Sequence, residues 1–276
     1  MDFGLIVAQG TGYNLHTHTQ FCDGHATMEE FVEAAIKAGY RHLGFTPHSP
    51  IPFNSSCNME HGQVDAYFQE IARLRERYED RLSIYAGMEI DYLNGWGPTH
   101  PYFASLPLDY TIGSVHFIPS FDDPDTYIDV DGKPENFILK MKEYFHDDIE
   151  SVVRSFFNQY LKMVKEGGFD IVGHFDKIGR NASHYRPGIE DEPWYRKQVD
   201  KLADAIIAKR YAVEINTKMW ETEKRFFPAQ RLWQRLINAG LTIVVNSDAH
   251  VPALLDSGRP TALSALEDVE NRFLDF

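Results

Sequence analysis

Two hydrophobic periods take turns along this chain. The stretch Tyr13-Asn14-Leu15-His16-Thr17-His18-Thr19 alternates apolar and polar positions as a short strand does, which turns His16 and His18 toward the same side. Thr27-Met28-Glu29-Glu30 has the form of a capping box, and Phe31, Ala34, Ala35 and Ala38 follow at helical spacing up to Gly39. The exchange of periods continues to the end. Strands are expected over residues 42–46, 82–90, 110–115, 169–173, 211–216 and 243–250, each rich in β-branched or aromatic residues. Helices are expected over 64–78, 134–145, 149–166, 193–209 and 228–239, with Pro193 in a first turn and Gly167 and Gly240 as stops.

Short strands alternating with helices predict parallel β/α units, and repeated closure of such units predicts an α/β barrel with its chemistry at the C-terminal strand ends. At 276 residues the chain fits one barrel domain, 1–276, with no repeat or linker to divide it. Residues 119–134 interrupt the rhythm. They hold Asp122, Asp123, Asp125, Asp129 and Asp131, and read as an acidic excursion or lid. A calcium loop is excluded, since Gly132 at its sixth position would put Tyr127 and Ile138 where Asp and Glu are needed.

The net charge of -14, from 27 basic and 41 acidic residues, argues against a nucleic-acid binder and for a small substrate. Only two cysteines occur, so no disulfide framework is expected and a cytoplasmic setting follows. No apolar run is long enough to span a membrane. The sequence sets no oligomeric state.

Ligand-type side chains gather at the expected strand ends: His16, His18 and His25, then His48, Glu89, His116 and His174, and finally Asp248 and His250. One histidine after a strand is more often a satisfied polar residue than a ligand, but the paired spacings in His16/His18 and Asp248/His250 change that balance. Imidazole and carboxylate together suit Zn²⁺, Mn²⁺ or Fe. So many donors exceed the needs of one ion. They would serve two or three ions with a bridging carboxylate, an arrangement suited to phosphate-ester hydrolysis.

The segments Asn14-Leu15-His16-Thr17-His18, Thr46-Pro47-His48, Gly87-Met88-Glu89-Ile90, Gly113-Ser114-Val115-His116, Gly173-His174-Phe175-Asp176 and Ser247-Asp248-Ala249-His250 together resemble the polymerase and histidinol phosphatase (PHP) superfamily. The resemblance implies a distorted (β/α)7 barrel holding three divalent ions. By motif, the first ion falls to His16, His18, Glu89 and Asp248, the second to Glu89, His116 and His174, and the third to His25, His48 and His250. Asn14 stands where Asp is common, and Phe175 where Pro is frequent; neither change removes a ligand.

Thr46-Pro47-His48-Ser49-Pro50, Gly173-His174-Phe175-Asp176-Lys177-Ile178 and Glu214-Ile215-Asn216-Thr217 look most like the monofunctional histidinol-phosphate phosphatases. That likeness implies hydrolysis of histidinol phosphate, a small-molecule phosphate monoester, in histidine biosynthesis. Arg180 and Arg225 are expected to grip phosphate, with Lys177 as a further cation and His61 as a substrate contact. Asp176, Asp248 or a water is expected to supply the leaving-group proton. A nucleotide phosphoesterase or exonuclease, a C–N-cleaving metal enzyme and a metal-binding barrel without catalysis are the alternatives.

Overall fold

The computed structural model describes residues 1–274. Its strands are β1 (Tyr13–Asn14), β2 (His42–Phe45), β3 (Ser83–Asp91), β4 (Tyr110–Ser114), β5 (Phe117–Pro119), β6 (Tyr127–Asp129), β7 (Ile171–Val172), β8 (Ala212–Asn216) and β9 (Ile243–Asn246). The helices are α1 (Phe3–Ala8), α2 (Met28–Lys37), α3 (Val64–Arg77), α4 (Pro101–Ala104), α5 (Pro134–Tyr144), α6 (Ile149–Glu166), α7 (Ile178–Tyr185), α8 (Pro193–Lys209), α9 (Trp220–Glu223), α10 (Trp233–Asn238) and α11 (Arg259–Leu274). Seven strands pair in parallel in the order β1-β2-β3-β4-β7-β8-β9. The two edges meet just beyond the strands: Thr17 bridges Ala249, and the His18 amide donates to the Ala249 carbonyl at 2.9 Å. The sheet is therefore a nearly closed (β/α) barrel of seven strands, as expected.

Tyrosines fill and tie the barrel. The Tyr110 hydroxyl crosses to the Leu15 carbonyl at 2.6 Å, and a Cβ placed on Gly44 would lie 2.0 Å from that hydroxyl, so only glycine fits there. Between barrel and helices, the Tyr67 hydroxyl donates toward the Phe45 and Gly87 carbonyls, and Tyr160 toward those of Gly113 and Gly173. Packing on the outside follows the sequence pattern. α2 begins with the capping box of Thr27 and Glu30 and buries Met28, Phe31, Val32 and Ala35. α6 buries Val152, Val153, Phe156 and Phe157 against the β4–β7 side.

Several expectations shift. The first and fifth strands are only two residues long. Just beyond them amides donate to side chains of the site and not to a ladder, Leu15 to Asn246 Oδ1 and His174 to Glu214. The helix expected over 228–239 shortens to a 3₁₀ turn, Gln230–Leu232, leading into α10. Helices α1, α4, α7, α9 and α11 were not expected. The acidic excursion is not irregular: β5 and β6 form an antiparallel hairpin whose Ile118, Ile128 and Val130 are buried, and the Val130 amide donates to the His116 carbonyl at 2.9 Å. No described helix is long and apolar enough to cross a membrane.

Candidate metal centre

The ends of the parallel strands converge on Glu89, the last-but-two residue of β3, which is fully buried. Its Oε2 lies 3.3 Å from His16 Nε2, 3.5 Å from His18 Nε2 and 3.1 Å from His48 Nδ1. Its Oε1 lies 2.8 Å from His174 Nε2 and 3.5 Å from His116 Nε2, and takes a hydrogen bond from Ser114 at 2.6 Å. Asp248 closes the other side, with Oδ1 3.1 Å from His18 Nε2 and 3.9 Å from His16 Nε2. Its backbone has a left-handed φ of 50°, which turns the chain so that His250, two residues on, also faces inward. The His18 and His250 rings stack with centroids 4.2 Å apart.

Four overlapping groups emerge, each with donor atoms within 4.8 Å of one another: His16/His18/Glu89, His16/His174/Asp248, His48/Glu89/His116 and His18/Asp23/His48/His250. The donors face one another and only partly satisfy one another. Glu89 Oε2 and Asp23 Oδ1 are buried with no hydrogen-bond partner, and the Nε2 atoms of His16 and His18 sit 3.1 Å apart. Converging N and O donors of this kind fit divalent cations. These residues would hold such ions.

Asp23, not His25, completes the last group. His25 is exposed and lies outside all four groups. The cause is Gly24: a Cβ there would fall 2.3 Å from the Thr19 amide nitrogen, so the loop folds tightly back onto the His18 strand end and presents Asp23. Asp23 Oδ1 lies 3.2 Å from His250 Nε2 and 3.8 Å from both His48 Nε2 and His18 Nδ1.

Behind these side chains stands a layer of buried carboxylates. Glu214, from β8, accepts from His16 Nδ1 at 2.6 Å, from Asn246 Nδ2 at 3.0 Å, and from Asn216 Nδ2 and the His174 amide at 3.1 Å each. Asp91 takes His116 Nδ1 at 2.7 Å and Asn58 Nδ2 at 2.8 Å. Both carboxylates fix a proton on Nδ1 and leave Nε2 free to face the cluster. Neither stood out in the sequence as a site residue, although Glu214 sits on the sixth strand, the one with no ligand assigned.

Charge follows this arrangement. Burial opposes the ionised Glu89, but His16, His116 and His48 outweigh it and hold the carboxyl well below its usual range. Burial likewise opposes the Asp248 anion, which Lys218, His16 and Lys177 keep well below the ordinary carboxylate range. Against the same burial, Glu214, Glu89 and Asp248 raise His16, and Asp91 with Glu89 lifts His116 to about 9. Burial and the neighbouring His250 and His48 push His18 down. Anionic carboxylates are thus available to hold cations at neutral pH.

The cluster opens into a cavity of about 230 Å³ lined by Asp23, His48 and His116 on the floor, Phe117, Asp129 and Asp131 from the hairpin, and Lys177, Arg180 and Lys218 opposite. Lys177 is buried and bonded to Asp131 at 2.9 Å, with Asp248 3.6 Å away. Arg180 reaches this cavity while its Nε donates to Glu223 at 2.8 Å. Arg225 does not line it; both its Nη atoms fork onto Glu190 at 2.8 and 2.7 Å. Asp176 is buried but accepts from the Ala229 amide at 2.8 Å, in the company of Arg225 rather than the histidines; burial raises it to about 6. His61 packs against Trp96 and Tyr102 beside a separate cavity of about 510 Å³.

Residues 14–218 match the model of the PHP domain. The chain belongs to the PHP-domain family. A protein from Deinococcus radiodurans named probable histidinol-phosphatase is 28% identical over 269 residues, covering 95% of both chains. Two solved structures share the fold. One, from Listeria monocytogenes, has a TM-score of 0.79 at 18% identity and covers 90% of this chain and 99% of that one. The other is the histidinol phosphate phosphatase of Lactococcus lactis, complexed with zinc, L-histidinol and phosphate; its TM-score is 0.71 at 23% identity, over 94% of this chain and 93% of that one. In this PHP chain the ligand motifs occupy the C-terminal strand ends of the barrel, the face on which barrels carry their chemistry.

Proposed function

We propose that this chain is a metal-dependent phosphoric monoester hydrolase acting on histidinol phosphate, with three divalent ions of the Zn, Mn or Fe type. The observation that carries the reading is one cavity with two kinds of wall: Asp23, His48 and His116, which belong to the converging donor groups around Glu89, and the cations Lys177, Arg180 and Lys218. Such a site suits a small dianion. The nearly full-length likeness to a protein named probable histidinol-phosphatase supports the choice of ester.

His16, His18, Glu89 and Asp248 would hold one ion, Glu89, His116 and His174 a second, and Asp23, His48 and His250 a third. When bound, such ions supply a strong nucleophile at neutral pH and neutralise the phosphoryl and leaving oxygens. The chain's own groups do the rest. Glu214 and Asp91 hold His16 and His116 with Nε2 facing the cluster. Lys177 and Arg180 orient the phosphate through charge-assisted hydrogen bonds. Asp248, kept ionised by the lysines and His16, serves as a ligand and not as a proton donor. Phe117 and Asp131 of the hairpin offer an aromatic face and a carboxylate to the cationic remainder of the substrate.

Phosphate release from histidinol phosphate and from nucleoside monophosphates, measured on the metal-loaded protein, tests this reading. Histidinol phosphate should be turned over much faster; preference for the nucleotides would overturn the assignment of substrate.

A further inference from the structure

Four basic residues line the cavity, Lys133, Lys177, Arg180 and Lys218; Lys133 is exposed, and the other three differ in their anchoring. Lys177 is held by Asp131 at 2.9 Å, and Arg180 by Glu223 at 2.8 Å, both partners lying outside the metal-ligand set. Lys218 has no such tether. Among the described residues, the hydrogen-bond and ion-pair partners of its ammonium are Asp248 Oδ1 and His250 Nε2, each at 3.2 Å, and both belong to the cluster. Its backbone, by contrast, is fixed: the Lys218 amide donates to Asn216 Oδ1 at 3.0 Å, and Thr217 bonds twice to the Asn246 carbonyl. The head is also the more open of the two lysines, with 29% of its side chain exposed against 6% for Lys177.

We propose that Lys218 is a phosphate-binding residue set free by metal loading: cations held by Asp248 and His250 take both partners of its ammonium and turn it into the cavity, toward the phosphoryl group of the substrate. The inference rests on the phosphatase reading above and adds a residue and an order of events to it. An ammonium and a divalent cation cannot share Asp248 Oδ1 without strong repulsion in a buried site. Lys177 then gives up its 3.6 Å contact with Asp248 but keeps Asp131, and Arg180 keeps Glu223; Lys218 loses both of its partners, and a phosphate in the cavity offers its ammonium an acceptor alongside the lining carboxylates. Three rotatable N–H donors on a flexible stem suit the tetrahedral anion. A fixed backbone and a free head give the group reach without loss of position.

The test uses the full chain loaded with Mn²⁺, as wild type and as Lys218→Met, which keeps the stem and removes the charge. Inorganic phosphate binding is followed by calorimetry, hydrolysis of histidinol phosphate by phosphate release, and metal content by elemental analysis. The variant should keep its metal content while phosphate affinity and kcat/KM fall about 10- to 100-fold, the range of a lost hydrogen bond to a charged group. Phosphate affinity and kcat/KM within about twofold of wild type would overturn the proposal, as would a loss of metal that accounts for the loss of activity. Failure of the wild type to hydrolyse histidinol phosphate while phosphate binding still depended on Lys218 would sink the substrate assignment alone.

Discussion

The floor and the mouth of this site are built from different kinds of side chain. On the floor, His16, Glu89, His174 and Asp248 are short, buried and attached within a residue or two of a paired strand, and Glu214, Ser114 and Asn216 bond to His16, Glu89 and Asp248. At the mouth, Arg180, Lys218 and Asp131 are long or loop-borne and partly exposed, and their partners come from distant parts of the chain. A floor of this kind is rigid before any ligand arrives, whereas the mouth can rearrange around one. The difference teaches where binding strength and where adaptability reside.

Breaking the floor should have the largest effect. Glu89 faces His16, His18, His48, His116 and His174, so Glu89→Ala removes the one carboxylate common to two of the donor groups. Loss of several kcal/mol of transition-state stabilisation, about 10³-fold or more in kcat, is expected, with metal content falling in parallel. Glu214→Gln probes the layer beneath. It keeps the shape but alters the partner of His16 Nδ1, and a chelator-competition titration should register a 10- to 100-fold weaker metal affinity, typical of such outer groups. Unchanged affinity would mean that Glu214 merely fills space.

The next pair sharpens the boundary of the floor. Asp23→Ala should lower metal content by part of its full value, while His25→Ala should leave it intact; the reverse pattern would return His25 to the ligand set. Away from the cavity lining, Arg225→Ala should have the smallest effect on catalysis. Its fork onto Glu190 is four-fifths buried on either side, so its removal leaves Glu190 without its countercharge and should lower the melting temperature by roughly 6–12 °C, as about 3 kcal/mol does in a chain of this size, and leave kcat/KM within about threefold. A large fall in kcat/KM with no change in melting would instead restore Arg225 as a phosphate contact.

The same contrast explains what could be read in advance. Strand and helix periods disclosed the seven-stranded barrel, and a spacing of two residues pointed to the pairs His16/His18 and Asp248/His250, although the second owes its geometry to the left-handed turn at Asp248 beyond β9. Short side chains on strand ends inherit their direction from the backbone, so sequence order carries their geometry. Asp23 escaped because its direction is set by a tight turn at Gly24, a contact with the His18–Thr19 backbone that no periodicity reports. Glu214 and Asp91 escaped for another reason: their partners, His16 and His116, lie 198 and 25 residues away. Arg225, expected to grip phosphate, forks onto Glu190 instead of lining the cavity, a direction that a long side chain after a strand does not disclose in sequence. Helix α7, which begins just after the His174 motif, went unread because its Ile178–Tyr185 segment is short and interleaved with polar residues.

Hydrolysis should depend directly on the metal-binding floor. The most direct measurement strips the protein of metal, then adds back Zn²⁺, Mn²⁺ or Fe²⁺ in steps while bound metal and phosphate release from histidinol phosphate are followed on the same sample. Activity should be absent after stripping and should return in step with occupancy, reaching its maximum near three ions per chain. Hydrolysis that persists after exhaustive removal, or full occupancy without hydrolysis, would contradict it.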